Sequence, residues 1–450
     1  MIEIVAIDTP SLGDRGYLAT DGCVALVIDV QRDFDRVERA AADRGVTITH
    51  VFETHMHNDY VTGGLALARA VDAQYLVNAA DPVSFDRTPV ADGDLIKVGE
   101  MRVRAIATPG HTYTHLAYAL GDGDQLLAAF TGGSLLNGST GRTDLLGAAH
   151  RRALARAQFS SAHRLASELP DAVSVCPTHG FGSFCSATPA GGGPSTIGDE
   201  KRANPALTST EDDYVDQLLA GLDAYPAYYA HMGPANLAGP AAPALAPPRP
   251  AEPAELRRRI AAGEWVVDLR SRTAFAAGHL YGALNFELGN NLATYLGWLI
   301  PWRTPLTLIG DTADAVLAAQ RELCRIGIDK IESAAVSPEQ WAAGERLNCF
   351  PAVDFAALKA RTKNGSLVLL DVRRRSEWQA AHIDGAVLIP LHELAARMGE
   401  LPDGEVWVHC QSGYRAAVAA SLLAACGRPV VAITADFSAA DQAGLAIVTS

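Results

Sequence analysis

The sequence predicts a multidomain chain of mixed α/β and α+β class: an N-terminal domain over residues 1–235, then two small α/β domains over 254–350 and 351–450. Three observations predict it. Histidines sit in loops beside apolar, β-branched runs in the first half, an Ala/Pro-rich stretch fills 236–253, and beyond that one strand-and-helix pattern occurs twice. With 450 residues, 48% hydrophobic and 20% charged, the chain can bury the two or three cores that such an arrangement needs.

The composition also excludes partners. The opening MIEIVAIDTPSLGDRGY has no basic segment before a long apolar run, so no secretory signal is expected. The most apolar later stretch, YLGWLIPWRTPLTLIG, is broken by Pro301, Arg303 and Pro305 and is too short between breaks to span a bilayer. A soluble, cytoplasmic protein without a membrane partner is the expectation. Seven cysteines at irregular spacing make no disulfide framework and suit a reducing compartment, where a special cysteine is catalytic. The formal net charge of −14 argues against nucleic acid as a partner, because phosphate backbones are gripped by clustered Lys and Arg.

In the N-terminal domain, VTITHVF reads as a buried strand feeding the loop ETHMHNDY. His55, His57 and Asp59 follow one another at spacings of two, and from a loop leaving a strand they can converge on one cation. TPGHTYTHLAY places His111 after a Pro-Gly turn and before an alternating strand, with His115 four residues on; VCPTHGFGSFCS places His179 at another strand end. A sheet holds such loops rigidly, so neutral imidazoles from distant segments can share a metal.

GPANLAGPAAPALAPPRPAEP has few residues able to pack and many that favour extended backbone, which makes 236–253 a linker. Beyond it, EWVVDLRSRTAFAAGHLYGALNF matches SLVLLDVRRRSEWQAAHIDGAVLIP, pairing Asp268 with Asp371, Arg270 with Arg373 and His279 with His382 at a constant offset of 103. A repeat of that size is a duplicated domain rather than a solenoid unit, and alternating strands and helices imply a largely parallel sheet in each copy.

In the second copy the strand EVWVHC runs into QSGYRAAVAASLLAACG. Cys410 is expected at the strand end, with loop N–H groups and a helix N-terminus favouring its thiolate and Arg415 adding positive charge. Only four residues separate Cys410 from Arg415, one fewer than cysteine phosphatases use around phosphate, and the smaller cradle suits a single transferable sulfur. In the first copy Gly310 stands opposite Cys410 and Ala315 opposite Arg415, so that copy is expected to be catalytically inactive.

The Cys410 loop, with DVRRRSEWQAAHIDGA upstream, resembles the rhodanese family over residues 351–450. The resemblance implies a sulfurtransferase in which Cys410 carries a persulfide, preceded at 254–350 by an inactive rhodanese-like domain. The histidine loops, with FTGGSLLNGSTGRTDLLG between them, resemble the metallo-β-lactamase superfamily over 1–235. That implies a four-layer αββα sandwich with metals at one edge. Fusion of the two resembles the bacterial persulfide dioxygenases. What this implies is one Fe(II) per chain, with Zn(II) as the alternative, and a small-molecule thiol persulfide oxidised by O2 to sulfite, with thiosulfate exchanging sulfur through Cys410.

Matched residue by residue, His55 and His111 fall on the family's iron ligands, but Gly133 stands where a Thr-Gly-Asp motif has its aspartate and Tyr60 where HxHxDH has its last histidine. The surviving primary set is then His55, His57 and His111. Asp59 and His179 are left to a second metal position, His115 to holding a proton or water, and Cys185, in a stretch similar to one in rhodanese-fused members, to the substrate pocket. Asp144 is read as a loop residue. A glyoxalase II-like thioester hydrolase and a sulfurtransferase with a decayed metal site are the alternatives. The carrier thiol, the direction of sulfur flow and a homo-oligomeric state stay open; the apolar stretch 295–302 is expected in a core rather than at an interface.

Overall fold

Short apolar runs that alternate inward and outward residues build two six-stranded sheets in the first half of the chain. The computed structural model describes residues 1–188, 193–336, 341–342, 347–362 and 367–449. The first sheet holds, in spatial order, β1 (Glu3–Thr9), β2 (Asp14–Thr20), β3 (Val24–Ile28), β4 (Thr47–Phe52), β5 (Gln74–Asn78) and β6 (Thr88–Val90). The first three pair antiparallel, and β3 to β6 pair parallel. The second sheet holds β7 (Leu95–Val98), β8 (Met101–Ala107), β9 (Leu116–Asp122), β10 (Gln125–Gly132), β11 (Ser174–Pro177) and β12 (Ser195–Thr196), also in sequence order across the sheet.

The strand period of two decides the layers. Tyr17, Ala19, Leu26, Ile28 and Phe52 of the first sheet face Val103, Tyr118, Leu120 and Phe130 of the second in one central core. Their neighbours point outward. Leu18, Ala25, Val27 and Val51 pack on helices Asp35–Ala42 and Gly64–Val71; Ala117, Ala119 and Ala129 pack on helices Arg151–Glu168 and Glu211–Gly221. The result is the helix–sheet–sheet–helix sandwich expected. The parallel strand ends β3, β4 and β11 open onto the same region, and that positions the site.

The chain divides into two compact units, Met1–Ala244 with Cys324–Gly327, and Leu245–Leu323 with Ile328–Ser450. In the second unit a four-stranded parallel sheet runs β14 (Leu284–Asn285), β13 (Trp265–Asp268), β15 (Leu306–Gly310), β16 (Ile331–Val336). A five-stranded parallel sheet runs β20 (Val387–Leu388), β18 (Val368–Asp371), β21 (Val406–His409), β22 (Val430–Ile433), with β17 (Ala352–Val353) at its edge. Strands β19 (His382–Ile383) and β23 (Ile447–Val448) pair separately. The two sheets therefore thread in the same order.

The repeated residues make the same contacts in both copies. Arg270 forks onto Asp268 at 2.7–3.1 Å and donates to Gly278 O at 2.7 Å; Arg373 forks onto Asp371 at 2.7–3.1 Å and donates to Ala381 O at 2.7 Å. His279 Nδ1 donates to Phe275 O and His382 Nδ1 to Trp378 O, one helical turn back. Each pair ties a strand end to the helix that follows it. Ser366, where the second repeat begins in sequence, lies outside the described residues. Because Asp371 and Arg373 are at most 2% exposed, Asp371→Ala strands a buried guanidinium; a stability loss of about 3–5 kcal/mol is expected, read from the shift in the denaturant midpoint.

The apolar stretch 295–302 begins in helix Leu292–Leu299. Its Tyr295 ring lies 5.7 Å from Tyr414 and its Trp298 ring stacks at 4.7 Å on His392. This helix of the first small domain is covered by the second. Among the described residues no helix is long and apolar enough to cross a membrane.

Candidate metal centre and cysteine loop

Strand ends deliver the N-terminal site. Asp29 follows β3 with φ of 53°; Glu53, Thr54, His55 and His57 follow β4; His111 and His115 lie between β8 and β9; Thr178 and His179 follow β11. Asp14 opens β2, and a main-chain bridge pairs it with His179. All of these side chains, and Asp59, are at most 1% exposed. Gly13 is required beside Asp14: with φ of 71°, a Cβ there would meet Ser183 N at 2.1 Å.

The hydrogen bonds around the rings set their tautomers. Asp29 accepts from Thr54 N–H at 2.7 Å, from Thr54 Oγ1 at 2.7 Å, and from Thr178 Oγ1. With its hydrogen given to Asp29, Thr54 Oγ1 accepts from His55 Nδ1 at 2.9 Å. His111 Nδ1 donates to Arg142 O at 2.8 Å and His179 Nδ1 to Asp14 Oδ1 at 2.9 Å. Three Nε2 atoms are thereby left to face a common centre. His55 Nε2 and His179 Nε2 are 3.4 Å apart, and His55, His111 and His179 form one cluster of ligand atoms within 4.8 Å of one another.

Electrostatics separate the rings. Burial, reinforced by charge on His57, holds His55 well below the usual imidazole range, and burial with charge on His179 holds His111 at about 3, so both stay neutral. Burial opposes charge on His179 too, but Asp59 and Asp14 outweigh it and raise His179 well above that range. A proton and a metal ion thus compete for the same lone pairs. Three nitrogen donors around a buried centre, with His111 Nε2 lacking any hydrogen-bond partner, fit a divalent Zn(II) or Fe(II).

His57 faces two ways: its Nδ1 lies 4.0 Å from Asp59 without a hydrogen-bond partner, and its other nitrogen meets two acids. Its Nε2 lies 3.2 Å from Asp29 and 3.4 Å from Glu53, and its ring stacks on Tyr60 at 4.3 Å. Burial alone would lower it, but those two carboxylates raise it to about 9. It joins the clusters Asp29–Glu53–His57 and His57–Asp59–His179 rather than the three-imidazole one. His115 is engaged at both nitrogens, by Thr108 Oγ1 at 2.8 Å and by the Gly133 N–H at 3.0 Å. Cys185 is fully buried, and burial followed by the charges of Asp59 and Asp14 keeps its thiol protonated. Asp144 forks onto Arg142 at 2.7 and 2.9 Å. It thereby fixes the residue whose carbonyl holds His111.

Gly133 has a physical reason to lack a side chain: a Cβ there would sit 2.4 Å from His111 Cδ2. Gly133→Asp is therefore expected to displace His111 and to lower bound metal per chain at least about tenfold, measured by elemental analysis, rather than to strengthen the site.

In the C-terminal domain Cys410 follows β21, is 1% exposed, and its sulfur accepts from the Gly413 N–H at 3.1 Å. Helix Tyr414–Ala425 begins directly after this turn. Arg415 does not stand alone: its two terminal nitrogens donate to Glu377 at 2.6 and 2.7 Å. Burial would raise Glu377, but Arg415 outweighs it and lowers that carboxyl to about 2. The first small domain holds the loop from outside, with Arg272 donating to Ser412 O at 2.6 Å and Tyr414 donating to Glu287 O at 3.3 Å. A small cavity beside Arg415 is lined from one side by Tyr295, Trp298 and Leu299 and from the other by Val372, Arg374 and His392.

Residues 354–441 match the family model of the rhodanese-like domain. The N-terminal half is 31% identical over 236 residues to a hydroxyacylglutathione hydrolase of Rhodobacter capsulatus, spanning 46% of this chain and 86% of that one. The chain belongs to the metallo-β-lactamase-fold family of the hydroxyacylglutathione hydrolases. Other members of this family, from two Rhizobium species, align over 37% of their own length. The human mitochondrial persulfide dioxygenase ETHE1 is 28% identical over 229 residues, half of this chain and 81% of that one. A solved metallo-β-lactamase structure from Staphylococcus aureus subsp. aureus COL superposes with a TM-score of 0.67 at 27% identity, covering 74% of this chain and 99% of that one. That likeness reaches beyond the metallo-β-lactamase-fold sandwich.

Sequence reasoning missed Asp14, Asp29, Glu53, Arg142 and Glu377. Asp29 had a signal, an acid at the end of the apolar run CVALVID; Asp14 had none, since it sits in a polar turn 41 residues before His55.

Proposed function

We propose that this protein oxidises a small-molecule thiol persulfide to sulfite in its metallo-β-lactamase-fold domain and exchanges sulfane sulfur through Cys410 in its rhodanese domain. The observation that carries the reading is the three-imidazole cluster His55–His111–His179 in the same chain as a one-sulfur cysteine loop. Neutral donors leave a divalent ion its full charge, which favours an anionic persulfide over a neutral ester. Fe(II) held there supplies a redox centre at which dioxygen and the terminal sulfur can meet. The balance is RSSH + O2 + H2O giving RSH, sulfite and two protons.

The chain's own residues do the rest. Thr54, Arg142 O and Asp14 engage the Nδ1 atoms, so that the Nε2 atoms are the ones aimed inward. Full burial excludes bulk water from the centre. In the rhodanese domain the Cys410 thiolate attacks the outer sulfur of thiosulfate, and sulfite leaves with the S–S bonding pair. The Gly413 N–H steadies negative charge on the sulfur. The first small domain, threaded in the same order but with Gly310 in place of the cysteine, serves as the inactive rhodanese-like partner that walls the cavity.

Thioester hydrolysis is the second reading, favoured by the hydroxyacylglutathione hydrolase relatives and by the adjacent cluster His57–Asp59–His179. Against it stands Tyr60, which donates to Asp29 O at 3.3 Å where a further ligand would be needed. The test is S-lactoylglutathione beside glutathione persulfide on one metal-loaded sample. Turnover of the persulfide with oxygen loss supports the first reading; thioester cleavage without oxygen loss supports the second.

A further inference from the structure

We propose that Tyr295, from the inactive first small domain, is the hydrogen-bond donor that completes the anion site at Cys410, and that it turns this site toward thiosulfate rather than a thiol persulfide as sulfur donor. This rests on the sulfurtransferase reading above and assigns its substrate class. Helix Leu292–Leu299 carries Tyr295 to the cysteine loop: the ring lies 5.7 Å from Tyr414, the residue before Arg415, and lines the cavity beside Arg415. Two further contacts seat the first small domain on that loop, Arg272 on Ser412 O at 2.6 Å and Tyr414 on Glu287 O at 3.3 Å. The charged side chains of the cavity are already committed. Arg374 and Arg415 both donate to Glu377, and His392 faces Glu393 at 3.6 Å beneath the Trp298 ring. Burial and the charges of Arg415, Arg374, Glu377 and Cys410 act on the Tyr295 hydroxyl, and among the described residues no hydrogen bond engages it.

A protonated phenol is a donor, and Tyr295 stays one: burial raises it above the usual phenol range, against the opposing charges of Arg415 and Arg374. In the transfer, the Cys410 thiolate forms a bond to the outer sulfur of thiosulfate, the old S–S bond breaks, and its electron pair leaves with sulfite. Cys410 keeps a persulfide anion, and the departing sulfite carries its two negative charges on oxygen. Arg415 is already matched by Glu377, so an uncommitted hydroxyl on the facing domain is the group left to hydrogen-bond those oxygens as their charge grows. A thiol persulfide has no such oxygen. Its leaving group is a thiolate, whose sulfur is a weak hydrogen-bond acceptor. The first small domain thus supplies chemistry to its neighbour, although its own loop has Gly310 and Ala315 where Cys410 and Arg415 stand.

The experiment is single-turnover persulfide formation at Cys410 of the full chain, read by rapid-quench mass spectrometry with thiosulfate or glutathione persulfide as donor, and with far-UV circular dichroism on each variant. Tyr295→Phe keeps the ring against Tyr414 and removes only the hydroxyl. It is expected to lower the thiosulfate rate about 10–100-fold and the persulfide rate less than about threefold. Tyr295→Gln, which restores a donor, should recover part of the thiosulfate rate, and set against Tyr295→Leu it carries the same comparison if the Phe variant does not fold. A thiosulfate rate equal to wild type in Tyr295→Phe overturns the role of the hydroxyl. An equal loss with both donors assigns Tyr295 to packing and overturns it as well. A wild type charged by the persulfide but not by thiosulfate overturns the donor class, whereas one charged by thiosulfate alone supports it. A wild type charged by neither overturns the sulfurtransferase reading itself, a result distinct from every variant outcome.

Discussion

Cys410→Ser is expected to lower thiosulfate sulfurtransfer by about 10³-fold or more while leaving the fold intact, because the hydroxyl is a far weaker nucleophile that occupies nearly the same volume. The buried position of Cys410 between β21 and helix Tyr414–Ala425 leaves no second sulfur in the loop to take its place. Arg415→Ala is expected to cost less. Its charge is already matched by Glu377, so the loop N–H groups carry more of the anion stabilisation than the guanidinium does. Cyanide-coupled thiocyanate release from thiosulfate measures both, and unimpaired transfer by Cys410→Ser would sink the sulfurtransferase half of the account.

His111→Ala is expected to abolish persulfide-dependent oxygen uptake, by at least about 10²-fold, together with stoichiometric metal. The ring is fully buried, its Nδ1 is bound to Arg142 O, and its Nε2 has no partner of its own. Removing it takes away one of three donors and opens a cavity into which water can enter. Sulfurtransfer through Cys410 is expected to survive in the same variant. Oxygen electrode traces and elemental analysis on one preparation check the first effect, and thiocyanate release checks the second.

The layering of the N-terminal sandwich was legible through the family resemblance of its histidine loops; the alternation of inward Tyr17 and Ala19 with outward Leu18 agrees with it, but register shifts in β4 and β10 interrupt the period of two. The duplication was legible because Asp-x-Arg and His at fixed separation are the residues that tie each strand to its helix. What covers helix Leu292–Leu299 was not legible: apolarity says that a face is buried, not that Tyr414 and His392 of the next domain bury it. Of the site, His55, His111 and His179 could be picked out singly from their strand-end loops. The direction of His57 could not, because His55 and His57 share one loop, and it is the buried acids Asp29 and Glu53 that face the second ring's Nε2. Asp14 was hidden for a similar reason: its partnership depends on an isolated main-chain bridge from the start of β2 to His179, just past the end of β11.

The most direct test of the central claim is oxygen consumption by the iron-loaded protein on addition of fresh glutathione persulfide, with bound iron counted in the same sample. The account predicts uptake that requires iron, yields one sulfite per O2, and is lost in His111→Ala. A fully iron-loaded protein that consumes no oxygen while the persulfide remains intact would contradict it.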